Sequence, residues 1–343
     1  MKKNVWIIML LFIMSSFSTE LTAQEKAPFM TRTFPASSIQ AVETNTLGGD
    51  HAITGDVVSE ASVEVWISHD NWSYEKIKQT LEANYTIDIR VENGTLYVTA
   101  KPKDRLSDWN QNGVNISFVI VVPKQVSSNS QSVGGNFFIR NLSGTQKFNN
   151  VGGSLTVENV SGKIDASTVG GSITVTGSKD SIDLNTVGSS IVVKDCSGKI
   201  NISNTGGGIT ANGIKGALKI GAMNGDVKLD NISGKVDAGA FNGNLDVKMT
   251  SVTDSVRLSN NGNISLSLPA GKGYNLHAKG NKVETIGLKD FHGTQESDNI
   301  DGTAGKGGAE ISVTSSMETE TVDKNGNTTT VKTSSGRVRI SFE

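Results

Sequence analysis

The chain has 343 residues and carries 32 Lys and Arg against 34 Asp and Glu, a formal charge of −2. There is no basic surplus to mark a nucleic-acid surface and no acidic block to act as a solvating tail. Aromatic residues make up only 6% of the chain while there are 38 glycines, a balance that argues against a helical enzyme core and fits a turn-rich all-β protein of small aliphatics.

The N-terminus reads as a secretory signal over residues 1–23. Lys2 and Lys3 precede an apolar stretch from Val5 to Phe17, and Thr22-Ala23 before Gln24 offers a cleavage point. The stretch is shorter than the about 20 residues a membrane span needs, so contact with a membrane is expected only through this segment before its removal. Residues 24–35 read as a linker.

Residues 36–130 read as a β-rich cap. AVETN, ASVEVWIS, YTIDIRVENGTLYVTA and VNISFVIVVP alternate apolar and polar positions, the mark of strands with one buried face. Asn93-Gly94 reads as a hairpin turn. Between these strands Ser73 to Asn84 (SYEKIKQTLEAN) is the one good helix candidate, with Ser73 as its cap.

From residue 131 to 311 an internal repeat dominates. Rows of eighteen residues begin at Val133, Val151, Val169, Val187, Thr205, Met223 and Phe241, with no insertion until the last. The fifth column (Phe137, Leu155, Ile173, Ile191, Ile209, Val227, Leu245) and the seventh (Ile139, Val157, Val175, Val193, Ala211, Leu229, Val247) are apolar. A second pair fills columns fourteen (Ile164, Ile182, Ile200, Leu218, Val236) and sixteen (Ala166, Leu184, Ile202, Ile220, Ala238). Apolar residues two apart define a strand, so each row is two short strands. Columns two and three hold Gly152-Gly153, Gly170-Gly171, Gly206-Gly207, Asn224-Gly225 and Asn242-Gly243, and column twelve holds Gly144, Gly162, Gly198, Gly216 and Gly234, residues that turn a tight corner. One such row cannot offset its own ordering entropy. Stacked on its neighbours it can, which predicts a single-stranded β-solenoid of 18-residue coils, right-handed by strand twist and the crossover rule. The lone cysteine, Cys196, falls in column ten with Leu142, Val160, Ser178, Ile214 and Ile232, an inward slot for a buried and unreactive thiol.

Beyond Leu258 the pattern loosens into one degenerate coil (NISLSLP) after Asn261-Gly262. Residues 312–343 read as a polar hairpin turning at Asn325-Gly326 and a closing strand, RVRISF.

Four kinds of chemistry are weighed against these residues. Calcium in a β-roll wants Asp where Thr174, Val192 and Thr210 stand. Asp323-Lys324-Asn325-Gly326-Asn327 opens like an EF-hand loop, but Thr328 and Ser334 occupy the positions that need Gly and Glu. A polysaccharide lyase or hydrolase wants converging carboxylates. Column fifteen offers Asp165, Asp183, Asn201 and Asp237, yet Lys163, Lys199 and Lys235 stand two residues earlier, which predicts a self-neutralising surface ladder. The histidines, His51, His69, His277 and His292, have no metal spacing and read as surface residues. No nucleophile elbow or phosphate loop is present, and the double glycines precede strands rather than helices. No catalytic, cofactor-binding or metal residue is assigned.

VGGSLTVENVSGKIDAS (151–167) and MNGDVKLDNISGKVDAG (223–239), with the entry segment VETNTLGGDHAITGDVVSEASVEVWI, resemble the bacterial putative adhesin domain family, a β-solenoid family of unknown function. The resemblance covers roughly 36–343 and implies the fold, with no catalytic residues to carry over. The expectation is a non-enzymatic exported envelope protein, in the periplasm or at the cell surface. It would be an adhesin-like scaffold whose partner is a glycan or another envelope protein. The alternatives are a β-helix carbohydrate-active enzyme and a structural or signalling subunit of an envelope complex.

Overall fold

The computed structural model describes residues 27–103, 113–322 and 328–343, with side chains described outside 317–333. The expected signal segment and the Asp323–Asn327 loop lie outside the described residues. What is described is all-β with one α-helix, and its strands form two series. A long-strand series and a short-strand series share one apolar core.

The N-terminal third holds β1 (Met30–Pro35), β2 (Ala41–Thr46), β3 (His51–Asp56), β4 (Glu60–Ser68), α1 (Tyr74–Asn84), β5 (Tyr85–Glu92), β6 (Thr95–Pro102), β7 (Asn115–Pro123), β8 (Ser127–Ser132) and β9 (Phe137–Arg140). Residues 30–35, expected in the linker, are instead a strand antiparallel to β4. Alternation of Phe29, Thr31 and Thr33 with other residues is too weak a signal to show this without its partner. The helix starts where Ser73 caps it, its hydroxyl accepting from the Lys76 amide at 3.4 Å, and Ile77 and Leu81 bury its inner face. The β5–β6 hairpin turns at Asn93 and Gly94, both at positive φ (49° and 79°), as a type I′ turn requires.

This third is not wholly a cap. β2 pairs in parallel with β6 on one side and β8 on the other, while β3 pairs with β7 and β9. Residues 41–56 therefore form a true coil, held between residues 95–123 outside it and 127–140 inside it. The antiparallel β4, β1 and β5, with α1 against them, complete the end.

The central short strands are β9, β11 (Leu155–Glu158), β13 (Ile173–Thr176), β15 (Ile191–Lys194) and β17 (Ile209–Asn212). The long strands are β10 (Gln146–Asn150), β12 (Ser161–Thr168), β14 (Lys179–Thr186), β16 (Ser197–Asn204) and β18 (Lys215–Ala222). Every neighbour is parallel, and partners stand eighteen residues apart: Ile173 with Ile191, Ile182 with Ile200, Val193 with Ala211. The inward columns are buried, including Cys196 at 1% exposure. At the corners the backbone is strained where the sequence allows it. Asn141, Asn159, Gly177, Asp195, Gly213 and Asn231 all adopt positive φ, between 52° and 70°. At Gly153 an added Cβ would overlap the carbonyl oxygen of Gly135 in the preceding coil, so this corner excludes any side chain.

β19 (Val227–Ala240) and β20 (Leu245–Asn260) span both series. Their register slips from Val227–Leu245 to Val236–Val256, two extra residues taken up as a bulge. β21 (Ile264–Leu268), β22 (Tyr274–Lys279), β23 (Lys282–Ile286), β24 (Phe291–Gln295), β25 (Asn299–Ala304), β26 (Ala309–Val322), β27 (Thr328–Ser334) and β28 (Arg337–Phe342) follow. The polar hairpin is the β26–β27 pair. The RVRISF strand does not close the stack. β28 lies between β21 and β23, parallel to both, and the first half of β26 lies between β20 and β22. The last coil in sequence is thus the penultimate one in space, because a strand flanked on both edges satisfies all its backbone groups.

Candidate functional site

The outward face of the long-strand series carries a line of polar side chains. Parallel register places column fifteen in a single line: Lys147, Asp165, Asp183, Asn201, Lys219, Asp237 and, beyond the bulge, Arg257. Parallel strands lie about 4.8 Å apart, so each side chain is flanked by the one above and the one below. Asn201 Nδ2 donates to Asp183 Oδ1 at 2.5 Å. Beside this line run Ser167, Asn185, Ser203 and Gly221. The two lines bound a shallow open groove of about 610 Å³ whose floor includes Ala166, Leu184 and Ile202.

The expected pairing of Lys with Asp along one strand is not what balances these charges. Among the described residues Lys163 and Lys199 make no ion pair, and Lys235 reaches Asp254 of the next coil at 2.6 Å. Lys147, Lys219 and Arg257 stand in the same column-fifteen line as the carboxylates, and among the described residues they make no ion pair either. Residues two apart along a strand are about 6.6 Å apart, whereas cross-strand neighbours are closer. Lys147 and Lys219 stand in column fifteen of their own rows, so register-based counting along the column is the signal that finds them.

Burial lowers His51 to about 3 and raises the thiol of Cys196. Lys235 holds Asp254 below the usual carboxylate range by its hydrogen bond and then its charge.

The histidines are dispersed, as their spacing implies, but His51 is not a surface residue. It is fully buried, with Nε2 2.7 Å from Thr46 Oγ1 and its ring packed 4.8 Å from Phe137 and 5.6 Å from Phe118. It points inward because β3 is a coil strand whose first residue falls in the inward phase. His69 stacks on Trp72 at 3.9 Å, and Lys76 covers the same indole at 4.0 Å. His277 contacts Asp301 and Glu310 at the exposed C-terminal end. Among the described residues no group of three or more His, Cys, Asp or Glu could hold a metal ion.

A family model described as Toastrack DUF4097 matches residues 56–322. The chain belongs to this family. Among solved structures, three bacterial proteins are similar to this chain at low identity. A putative cell adhesion protein from Clostridium sporogenes is 10% identical with a TM-score of 0.21, covering 92% of this chain and 98% of its own. A putative adhesin from Bacteroides fragilis is 12% identical with a TM-score of 0.32, covering 94% and 100%. A putative lipid binding protein from Parabacteroides distasonis is 17% identical with a TM-score of 0.35, covering 73% and 92%. No curated protein matches the chain. Among the described residues no helix of this Toastrack chain is long and apolar enough to cross a membrane.

Proposed function

We propose that the chain is a non-enzymatic, exported envelope module of adhesin type, wound right-handed in 18-residue coils, that holds an extended glycan or β-rich envelope protein along its long-strand face. The observation that carries this reading is the groove itself. It is open, polar and repetitive, and its Asp, Asn and Lys side chains recur at the coil spacing. Such a surface fits a polymer whose own repeat can be read by many weak contacts acting together. General acid catalysis asks for something different: a carboxyl held protonated by an apolar pocket or a close like charge. Here Asp165 and Asp183 stand in an open groove with Lys147 and Lys219 in the same line. Export rests on the charged and apolar N-terminal segment.

The test is a screen of glycans and envelope proteins against the chain and against a variant carrying Asp165→Ala, Asp183→Ala, Asn201→Ala and Lys219→Ala. Binding should fall stepwise as these substitutions accumulate, and no polysaccharide should be cleaved. Turnover that vanishes with Asp165→Ala or Asp183→Ala alone would replace the scaffold with a β-helix enzyme.

A further inference from the structure

A second surface lies at the corner where one coil passes into the next. Val133, Val151, Val169, Val187, Met223 and Phe241 are each 47–54% exposed. They are the first residues of successive rows, so they stack into one line, extended by Leu47 at 38%. The stacking is continuous in the backbone, where Gly170 N donates to Val151 O and Gly188 N to Val169 O, at 2.8 and 2.9 Å. Only Thr205 interrupts the apolar line.

Nothing in coil geometry requires an apolar residue here, because the side chain points out of the corner into water. Isolated exposed aliphatics are ordinary, but a contiguous line of them is not. Seven side chains near half exposure present on the order of 600 Å² of apolar surface, the upper end of what a monomer's largest patch shows. The flanks add no charge over three successive corners: 167–172 reads STVGGS, 185–190 reads NTVGSS and 203–208 reads SNTGGG.

The line also has a shape. Beside Val133, Val151 and Val169 stand glycines in columns two and three, so over these coils a ridge of knobs runs parallel to a furrow with no side chains, and further along Ser189, Asn224 and Asn242 line it with small polar groups. Where the furrow is bare, the ridge and the furrow beside it are self-complementary. A twofold axis running along the solenoid places the ridge of each copy in the furrow of the other. Burying both ridges removes about 1,200 Å² in total, the size at which stable specific interfaces begin. We propose that this corner is a homodimer interface in which two copies pack side by side, in the same direction and in register. The inference is independent of what the polar face binds.

In such a dimer, Val169 of one copy stands at the height of Val169 in the other. The single native thiol is buried, so a cysteine placed on the ridge is the only reactive one. The full chain is examined by sedimentation equilibrium over the micromolar range, alongside Val151→Asp with Val169→Asp. Both positions are half exposed, so the pair should leave the circular dichroism spectrum and the melting temperature unchanged while weakening the dimer on the order of a hundredfold. Val169→Cys should cross-link to itself with a short bis-maleimide. A mixture of Val151→Cys and Met223→Cys chains should give like-with-like products only, since four coils separate those heights by about 19 Å. A chain that stays monomeric, a dimer indifferent to the Asp pair, or cross-links that ignore height would overturn the proposal. Binding to phosphatidylcholine vesicles that the Asp pair abolishes, with the chain monomeric throughout, would assign the ridge to a lipid surface instead.

Discussion

Column eighteen shows how single side chains hold a coil closed. Thr168 Oγ1 donates to Gly153 O at 3.1 Å, Thr186 Oγ1 to Gly171 O at 3.0 Å, and Asn204 Nδ2 to Ser189 O at 2.8 Å. Each bond joins the last residue of a coil to the third residue of the same coil, and Thr168, Thr186 and Asn204 are buried. Thr186→Val keeps the shape and leaves that carbonyl without its donor, so urea denaturation should show a loss of about 1–2 kcal/mol. Glycines divide by what surrounds them. Gly153→Ala drives a methyl into the Gly135 carbonyl, whereas Gly221 has open space around its missing Cβ. Gly153→Ala should therefore cost more than about 2 kcal/mol, while Gly221→Ala should stabilise by about 0.5 kcal/mol through the unfolded chain. The comparison of denaturation midpoints decides both. Cys196 should react with a thiol reagent only after unfolding, and Cys196→Val should be near neutral.

His51 belongs to β3 and gives that element a pH response. Its folded pKa, about 3 because of burial, lies below the ordinary 6.5. The unfolded chain therefore binds the proton first, and stability rises with pH. The contribution is complete above about pH 6.5 and is lost as pH falls toward 3, reaching several kcal/mol. His51→Phe should flatten this part of the urea-midpoint curve between pH 6.5 and 4 relative to the native chain. An unchanged slope would mean that His51 opens to solvent before global unfolding. On the β28 element the expectation concerns exchange. Val338 and Ile340 are fully buried and have β21 and β23 on either side, so their amides should exchange as slowly as those of the central coils. A fraying C-terminus would exchange within seconds.

For the whole molecule the same feature recurs at both ends. The first coil, 41–56, and the last, built from β26 and β28, are each held between two others. Simple solenoids add coils in chain order and lose them from the ends. Here neither terminal coil can leave without separating its neighbours. Deleting residues 337–343 should consequently lower the melting temperature by more than 10 °C, roughly the effect of a few kcal/mol in a domain of this size. A change within 2 °C would show that β28 is dispensable.

Much of this was legible in the amino-acid order because the repeat is local and unbroken. Eighteen-residue spacing put Ile173 beside Ile191 and placed Cys196 in the core, and the helical spacing after Ser73 identified it as a helix cap, since each depends on residues within one coil or one turn. The positive-φ corner at Asn141, Asn159, Gly177, Asp195, Gly213 and Asn231 was equally written there, in a column that holds only Asn, Gly or Asp through the first six rows, but it shows only when that column is read as backbone chemistry. What the order alone could not decide was which coil lies next to which at the two ends. Residues 41–56 and 337–342 carry the same alternating pattern as any coil strand, and a parallel strand's pattern names its inward face but not its neighbours. The buried place of His51 follows from that same choice, because a histidine is inward only once β3 is a coil strand between β7 and β9. Pairing partners distant in sequence are chosen by the closure of backbone hydrogen bonds across the whole stack, and that is a property of the tertiary structure.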